Sequence, residues 1–157
     1  ILSYALDGFA FAAETLVGQA IGARAAQEVR QAVRLALMWT FWSGVVLGLG
    51  FWLAGPWLID LMSTAPEVRA EARHYLAWIV AAPVMGALAW AYDGIYIGAL
   101  LTREMRRLML IAAAAYVVAL VVLWPFGNHG LWAAMMILFA VRSALMHLNS
   151  PKVVALA

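Results

Sequence analysis

The chain contains no cysteine, which excludes thiol chemistry and a disulfide scaffold. Charge is scarce as well. Asp, Glu, Lys and Arg make up 11% of the 157 residues, against about 25% in a soluble domain. Hydrophobic residues supply 67%, too many for a disordered chain and more than a sphere of this size can hide. The solvent is therefore lipid. A pI near 9.3 and a net charge of +2 invite a nucleic-acid reading, which the placement of the basic residues then removes.

What is present is a set of long apolar runs. Leu35 to Ile59 carries no charge, His74 to Leu101 carries only Asp93, and Leu108 to Val141 carries none. The stretch from Pro125 to Gly130 divides the last run in two, and Ile1 to Ala23 is apolar apart from Asp7 and Glu14. The expectation is an all-α membrane protein with five transmembrane helices, at roughly 1–22, 35–58, 75–101, 107–124 and 131–148. A helix satisfies its own backbone in lipid, and no strand alternation appears. The chain opens on Ile1 rather than Met and shows no signal peptide, and it is expected to be a fragment lacking earlier spans.

The loops alternate in charge. Arg24, Glu28, Arg30 and Arg34 lie between the first two spans, and Arg103, Glu104, Arg106 and Arg107 between the third and fourth. Between the second and third, Glu67, Arg69, Glu71 and Arg73 balance, and Lys152 follows the fifth. A Lys/Arg excess marks the cytoplasmic side, so the C-terminus is expected to be cytoplasmic. Basic charge in this arrangement orients the chain and does not bind nucleic acid. Trp57, Trp124 and Trp132 fall at the expected outer interface, Trp39 and Trp42 near the inner one. Thr64-Ala65-Pro66-Glu67 reads as a capping box opening a short amphipathic helix on the outer surface.

Four charges lie inside expected spans: Asp7, Glu14, Asp93 and Arg142. Each opposes insertion by about 2.5–3.5 kcal/mol at a helix centre and so needs a partner or a cavity. Asp7 and Glu14 are about 700° of helix rotation apart and share one face with Phe11 and Gly18. Glu14, Asp93 and Arg142 each stand ten residues before a basic marker (Arg24, Arg103 and Lys152). On that ruler all three share one depth, and Asp7 lies about 10 Å further out. The functional reading is a proton or cation relay through Asp93, Glu14 and Asp7. The bland alternative is a static ion pair of Arg142 with Asp93 or Glu14. Two carboxylates on one helix face exceed what one arginine neutralises, which favours function.

Other features are structural first. Gly18 with Gly22, Gly44 with Gly48, and Gly94 with Gly98 are small-xxx-small pairs suited to close helix packing. Pro83 is expected to bend the third span. His74, His129 and His147 show no metal-ligand spacing, so no metal is expected. No H-E-x-x-H, G-x-S-x-G, Walker loop or G-x-G-x-x-G occurs, and no enzyme is expected.

Three stretches carry a resemblance. They are Leu6-Asp7-Gly8-Phe9-Ala10-Phe11-Ala12-Ala13-Glu14 continuing through Val17-Gly18-Gln19-Ala20-Ile21-Gly22-Ala23, then Tyr92-Asp93-Gly94-Ile95-Tyr96-Ile97-Gly98-Ala99 before Thr102-Arg103-Glu104-Met105-Arg106, and Gly127-Asn128-His129-Gly130-Leu131-Trp132. Together they resemble the MATE (multidrug and toxic compound extrusion) transporters, in the DNA-damage-inducible protein F branch. The resemblance implies a twelve-helix, two-lobe transporter, of which this chain is part of the C-terminal lobe. It implies a secondary antiporter of the bacterial inner membrane that expels cationic or amphipathic compounds in exchange for H+ or Na+, with no cofactor beyond that ion. The implied partners are the lipid bilayer, the missing N-terminal lobe of the same chain and a small-molecule substrate. A coupling acid of the family lies on the helix equivalent to that of Asp93, which makes Asp93 a candidate. A lipid-linked precursor flippase of related architecture would need more cationic residues in its cavity, and a purely structural membrane subunit would keep water from the acids.

Overall fold

The computed structural model describes residues 2–157, with side chains from residue 6 onward. The apolar runs fold as helices, and no strand occurs among the described residues. In chain order the helices are α1 (Leu2–Gly22), α2 (Ala26–Met62), α3 (Pro66–His74), α4 (Leu76–Gly98), α5 (Thr102–Val122), α6 (Gly127–Asn149) and α7 (Pro151–Val154). A 3₁₀ turn at Trp124–Phe126 leads into α6, and Gly127 takes the positive φ of 56° that this reversal requires.

Of the five expected spans, four are long and apolar enough to cross a membrane: α2, α4, α5 and the run Trp124–Val154. The first is present as α1 and differs only in composition. At 21 residues α1 is long enough, but Asp7, Glu14 and Gln19 make it less apolar, and it packs against α4 and α2. The second is longer than expected, because α2 runs on for 37 residues through Arg30 and Arg34. At 1.5 Å per residue that is about 55 Å, more than a hydrocarbon core of about 30 Å.

The axis of the molecule is α4. Apart from Asp93 it carries no charge on any face, as befits a helix enclosed by others, and α1, α2 and α6 pack on it while α5 packs on α6. Its buried positions include Ala82, Ala87, Ala89, Tyr92, Ile95 and Tyr96. By contrast Trp39, Trp42, Trp52, Trp57 and Trp124 are exposed, as side chains facing lipid are.

Glycine sets how closely α4 is approached. A Cβ on Gly94 would stand 2.0 Å from the Ala10 carbonyl oxygen, and one on Gly98 would stand 2.3 Å from that of Glu14. On the other side, Gly44 and Gly48 of α2 meet the carbonyls of Pro83 and Val80 at 2.6 and 2.8 Å by the same construction. Gly18 meets the Gly98 carbonyl at 3.3 Å. The expectation fails at Gly22, where a Cβ would meet nothing within 4 Å. That residue closes α1 beyond the end of α4, so no helix lies against it. Pro83 is buried within the continuous α4.

A repeat emerges once the helices are placed. Gly18-Gln19-Ala20-Ile21-Gly22-Ala23, then Glu28 and Arg30, is matched by Gly94-Ile95-Tyr96-Ile97-Gly98-Ala99, then Glu104 and Arg106. Both copies end a helix with an N–H bonded across the turn. Ala25 donates to Ala20 and Arg24 to Ile21, as Leu101 donates to Tyr96 and Leu100 to Ile97. This is the Schellman pattern. Arg24 and Leu100 hold its left-handed position at φ 54° and 57°, and α2 and α5 start two residues later.

The turn from α2 to α3 departs from the expected capping box. The N-cap is Ala65, with Pro66 at the first helical position and no side-chain cap, so Thr64 and Glu67 are out of register for reciprocal bonds. Asp60 organises this end instead. Arg73 donates to its carboxylate at 2.7 Å, and Arg69 donates to the backbone oxygens of Asp60 and Ser63 at 2.8 and 2.5 Å. The Arg69 guanidinium thus caps carbonyls that end α2, while Arg73 pairs with the Asp60 side chain.

Candidate functional site

The polar chemistry inside the helices gathers where α4 faces α6. Residues 92, 93 and 96 fall on neighbouring positions of α4 by helical spacing, and each finds a partner on α6. Arg142 Nη2 donates to both carboxylate oxygens of Asp93. The Tyr92 hydroxyl meets His147 Nδ1 at 2.5 Å, and the Tyr96 hydroxyl donates to the Met146 carbonyl at 2.9 Å. An arginine opposite a carboxylate offsets the desolvation that each would suffer alone.

The pairing leaves donors unused. A single terminal nitrogen serves both oxygens of Asp93, so the parallel two-nitrogen fork typical of Arg and carboxylate is not formed. Arg142 Nε is buried without a partner, as is Ser143 Oγ beside it. The side chains of Arg142 and Asp93 are 16% and 20% exposed. The pair is thus sheltered but open on one side.

Asp7 and Glu14 are half-buried on α1, with no cationic side chain within salt-bridge distance among the described residues. Their register against α4 corrects the expected common depth. With Gly94 on Ala10 and Gly98 on Glu14, Asp93 stands level with Phe9 and Ala10. Glu14 therefore lies about one helical turn further toward the basic end. The ruler fails because α1 continues for two turns past the level at which α4 ends. Asp7 lies only about two to three residues from the level of Asp93, so of the two acids on α1 it is the nearer in depth to the pair.

The basic loops meet at one end of the bundle. Val17, Val29, Tyr96, Leu108, Met146 and Val153 share one apolar cluster there. It joins the α1–α2 turn, the α4–α5 turn and the α6–α7 turn. Lys152 bonds Glu104 at 3.2 Å across it.

The opposite end holds a contact that spacing did not suggest. His74 and His129 lie 55 positions apart, yet their Nε2 atoms are 2.8 Å apart, and Trp78 Nε1 donates to His129 Nδ1 at 3.0 Å. Indole N–H is only a donor, so His129 carries its proton on Nε2 and gives that hydrogen bond to His74. A ring protonated on Nε2 has no lone pair there for a metal, and no group of three metal-ligating side chains occurs among the described residues. The only sequence hint was that both histidines flank apolar runs at the same expected interface.

The chain matches the MatE family across residues 1–125. It is 37% identical over 140 residues to DNA damage-inducible protein F of Escherichia coli (strain K12), a match covering 89% of this chain and 30% of that protein. The chain thus spans about a third of the length of that relative. No solved structure matches it. A family match over four-fifths of the sequence, falling on a bundle of long apolar helices, places this chain in the MatE family of multi-pass membrane transporters.

Proposed function

We propose that this chain forms part of the C-terminal lobe of a secondary multidrug efflux antiporter of the bacterial inner membrane, exporting cationic or amphipathic compounds in exchange for H+ or Na+. Its C-terminus lies on the cytoplasmic side in this reading, where the positive loops gather. MatE proteins are transporters rather than enzymes. The carrying observation is the charge balance at the α1–α4–α6 contact. Two carboxylates, Asp7 and Asp93, lie at nearly one level on facing helices, with the single cation Arg142 paired to Asp93.

In this reading Arg142 has two arrangements, one on each acid. With Asp7 ionised, the local charge is one negative unit, which a proton, a sodium ion or a cationic substrate neutralises. When the cation enters, the unused donors of Arg142 re-pair with whichever acid remains charged. Differential binding of ion and substrate to the same acids is what an exchanger requires. Glu14, one turn away, extends the acidic face of α1 toward the basic end. The opposing lobe of the same protein supplies the other wall of the pathway in this reading.

The test is efflux of ethidium from vesicles containing the full-length protein, driven by an imposed pH or sodium gradient. Asp93→Asn, Asp7→Asn and Glu14→Gln are each expected to insert normally and to lower gradient-driven efflux, Asp93→Asn and Asp7→Asn by about tenfold or more. Efflux unchanged at every pH and sodium concentration would return the acids to a purely structural role.

A further inference from the structure

Between α2 and α6 runs a furrow that the transport reading does not use. Both helices lean on α4 rather than on each other, so α4 forms the floor of the gap. At the basic end the furrow widens into a cavity of about 670 Å³, with Arg30, Arg34, His147 and Ser150 in its wall. A narrower extension of about 370 Å³ shares Leu37, Tyr92 and His147 with it and continues past Leu88 to Ser143, inside the hydrophobic span.

The two ends differ in chemistry. Arg30 and Arg34 are one turn apart on one face of α2, exposed, and have no carboxylate partner among the described residues. Glu28 does not neutralise them, because it lines a different hollow with Gln31 and Ala23. His147 has Nδ1 committed to Tyr92, which leaves Nε2 as its free polar atom. Two guanidinium groups one turn apart match a phosphate. The extension is walled by Leu37, Leu88 and Ala144, which suits hydrocarbon. A free phosphate explains the arginines and leaves the apolar extension without purpose. A zwitterionic lipid explains the extension and leaves the unpaired arginines.

We propose that this furrow is a binding site for one anionic phospholipid. Its phosphate lies between Arg30 and Arg34 with His147 alongside, and an acyl chain runs over Tyr92 and Leu88 between α2 and α6. Basic pockets between helices at a membrane interface hold lipid headgroups by this combination of charge and burial. The bound lipid fills the gap that direct helix packing leaves and ties α2 to α6 at the basic end.

The test is native mass spectrometry of the full-length protein released from detergent containing equimolar phosphatidylglycerol and phosphatidylcholine. The wild type is expected to retain one phosphatidylglycerol with a preference on the order of tenfold. Arg30→Ala/Arg34→Ala, at exposed positions, should abolish the preference. Arg106→Ala/Arg107→Ala should keep it, although Arg106 is the repeat counterpart of Arg30, because α5 contributes no residue to the wall of this furrow. Leu37→Trp, which blocks the extension without touching charge, should also release the lipid, and 10 mM inorganic phosphate should not. Equal retention of the two lipids, loss of the preference in the α5 variant as well, or displacement by inorganic phosphate would overturn the proposal.

Discussion

Asp93 persists in an apolar helix because Arg142 reaches it from α6, and each would be strongly unfavourable without the other. Removing one partner leaves an uncompensated charge. Arg142→Ala is therefore expected to destabilise the full-length protein by about 3–5 kcal/mol, read as a lowered melting temperature in detergent. Asp93→Asn/Arg142→Gln should recover most of that loss, and an unchanged melting temperature in the single variant would contradict the pairing. Both residues were legible in the sequence as rare charges in apolar runs. Which acid Arg142 takes was not, because sequence spacing measures distance to a loop and not depth. The loops after α1 and α4 lie at different levels, so Glu14 was expected beside the pair and Asp7 stands nearer in depth. Asp60 went unused in the sequence for a related reason. Its role depends on two arginines of α3 folding back over the end of α2.

At the scale of elements, helix contacts are set by where two backbones touch. Gly94→Ala and Gly98→Ala push a methyl into backbone atoms of α1, and each is expected to destabilise by about 1–3 kcal/mol. Gly22→Ala meets open space and should be neutral or stabilising by up to about 1 kcal/mol. Comparing the melting temperatures of the three variants checks the α1–α4 register, and equal effects would refute it. The small-xxx-small pattern itself was readable, while the idleness of Gly22 required knowing where α4 ends. The histidine contact ties the end of α3 to the start of α6 and holds only with both rings neutral, since Trp78 occupies His129 Nδ1. The charges around that end are Asp60 of α2 and Glu67, Arg69, Glu71 and Arg73 of α3, and Tyr75 faces the His129 ring at 4.7 Å. The 3₁₀ turn and the first turns of α6 carry no charge. Ring nitrogen NMR of His129 should show Nε2 alone protonated, and a proton on Nδ1 would contradict the assignment.

For the whole molecule, the long charge-free runs made the helices and their order readable, because lipid permits few alternatives. The Gly-x-x-Ile-Gly-Ala repeat was visible in the same letters and became meaningful only as two equivalent Schellman turns with equivalent helix starts. Those turns bring the basic loops together around Val29, Leu108 and Val153, so one end of the bundle is built by repetition. The acids sit on α1 and α4, helices that start at the other end, with Arg142 facing them from α6. In the proposed antiporter, the braced end would hold the lobe while the polar contact rearranges. The most direct measurement is proton release by the full-length protein in weakly buffered detergent when tetraphenylphosphonium is added. The account expects protons to be released on binding in the wild type, and release to be lost in Asp7→Asn/Asp93→Asn while the protein stays folded. Undiminished release from that double variant would show that these carboxylates do not couple cation binding to protons.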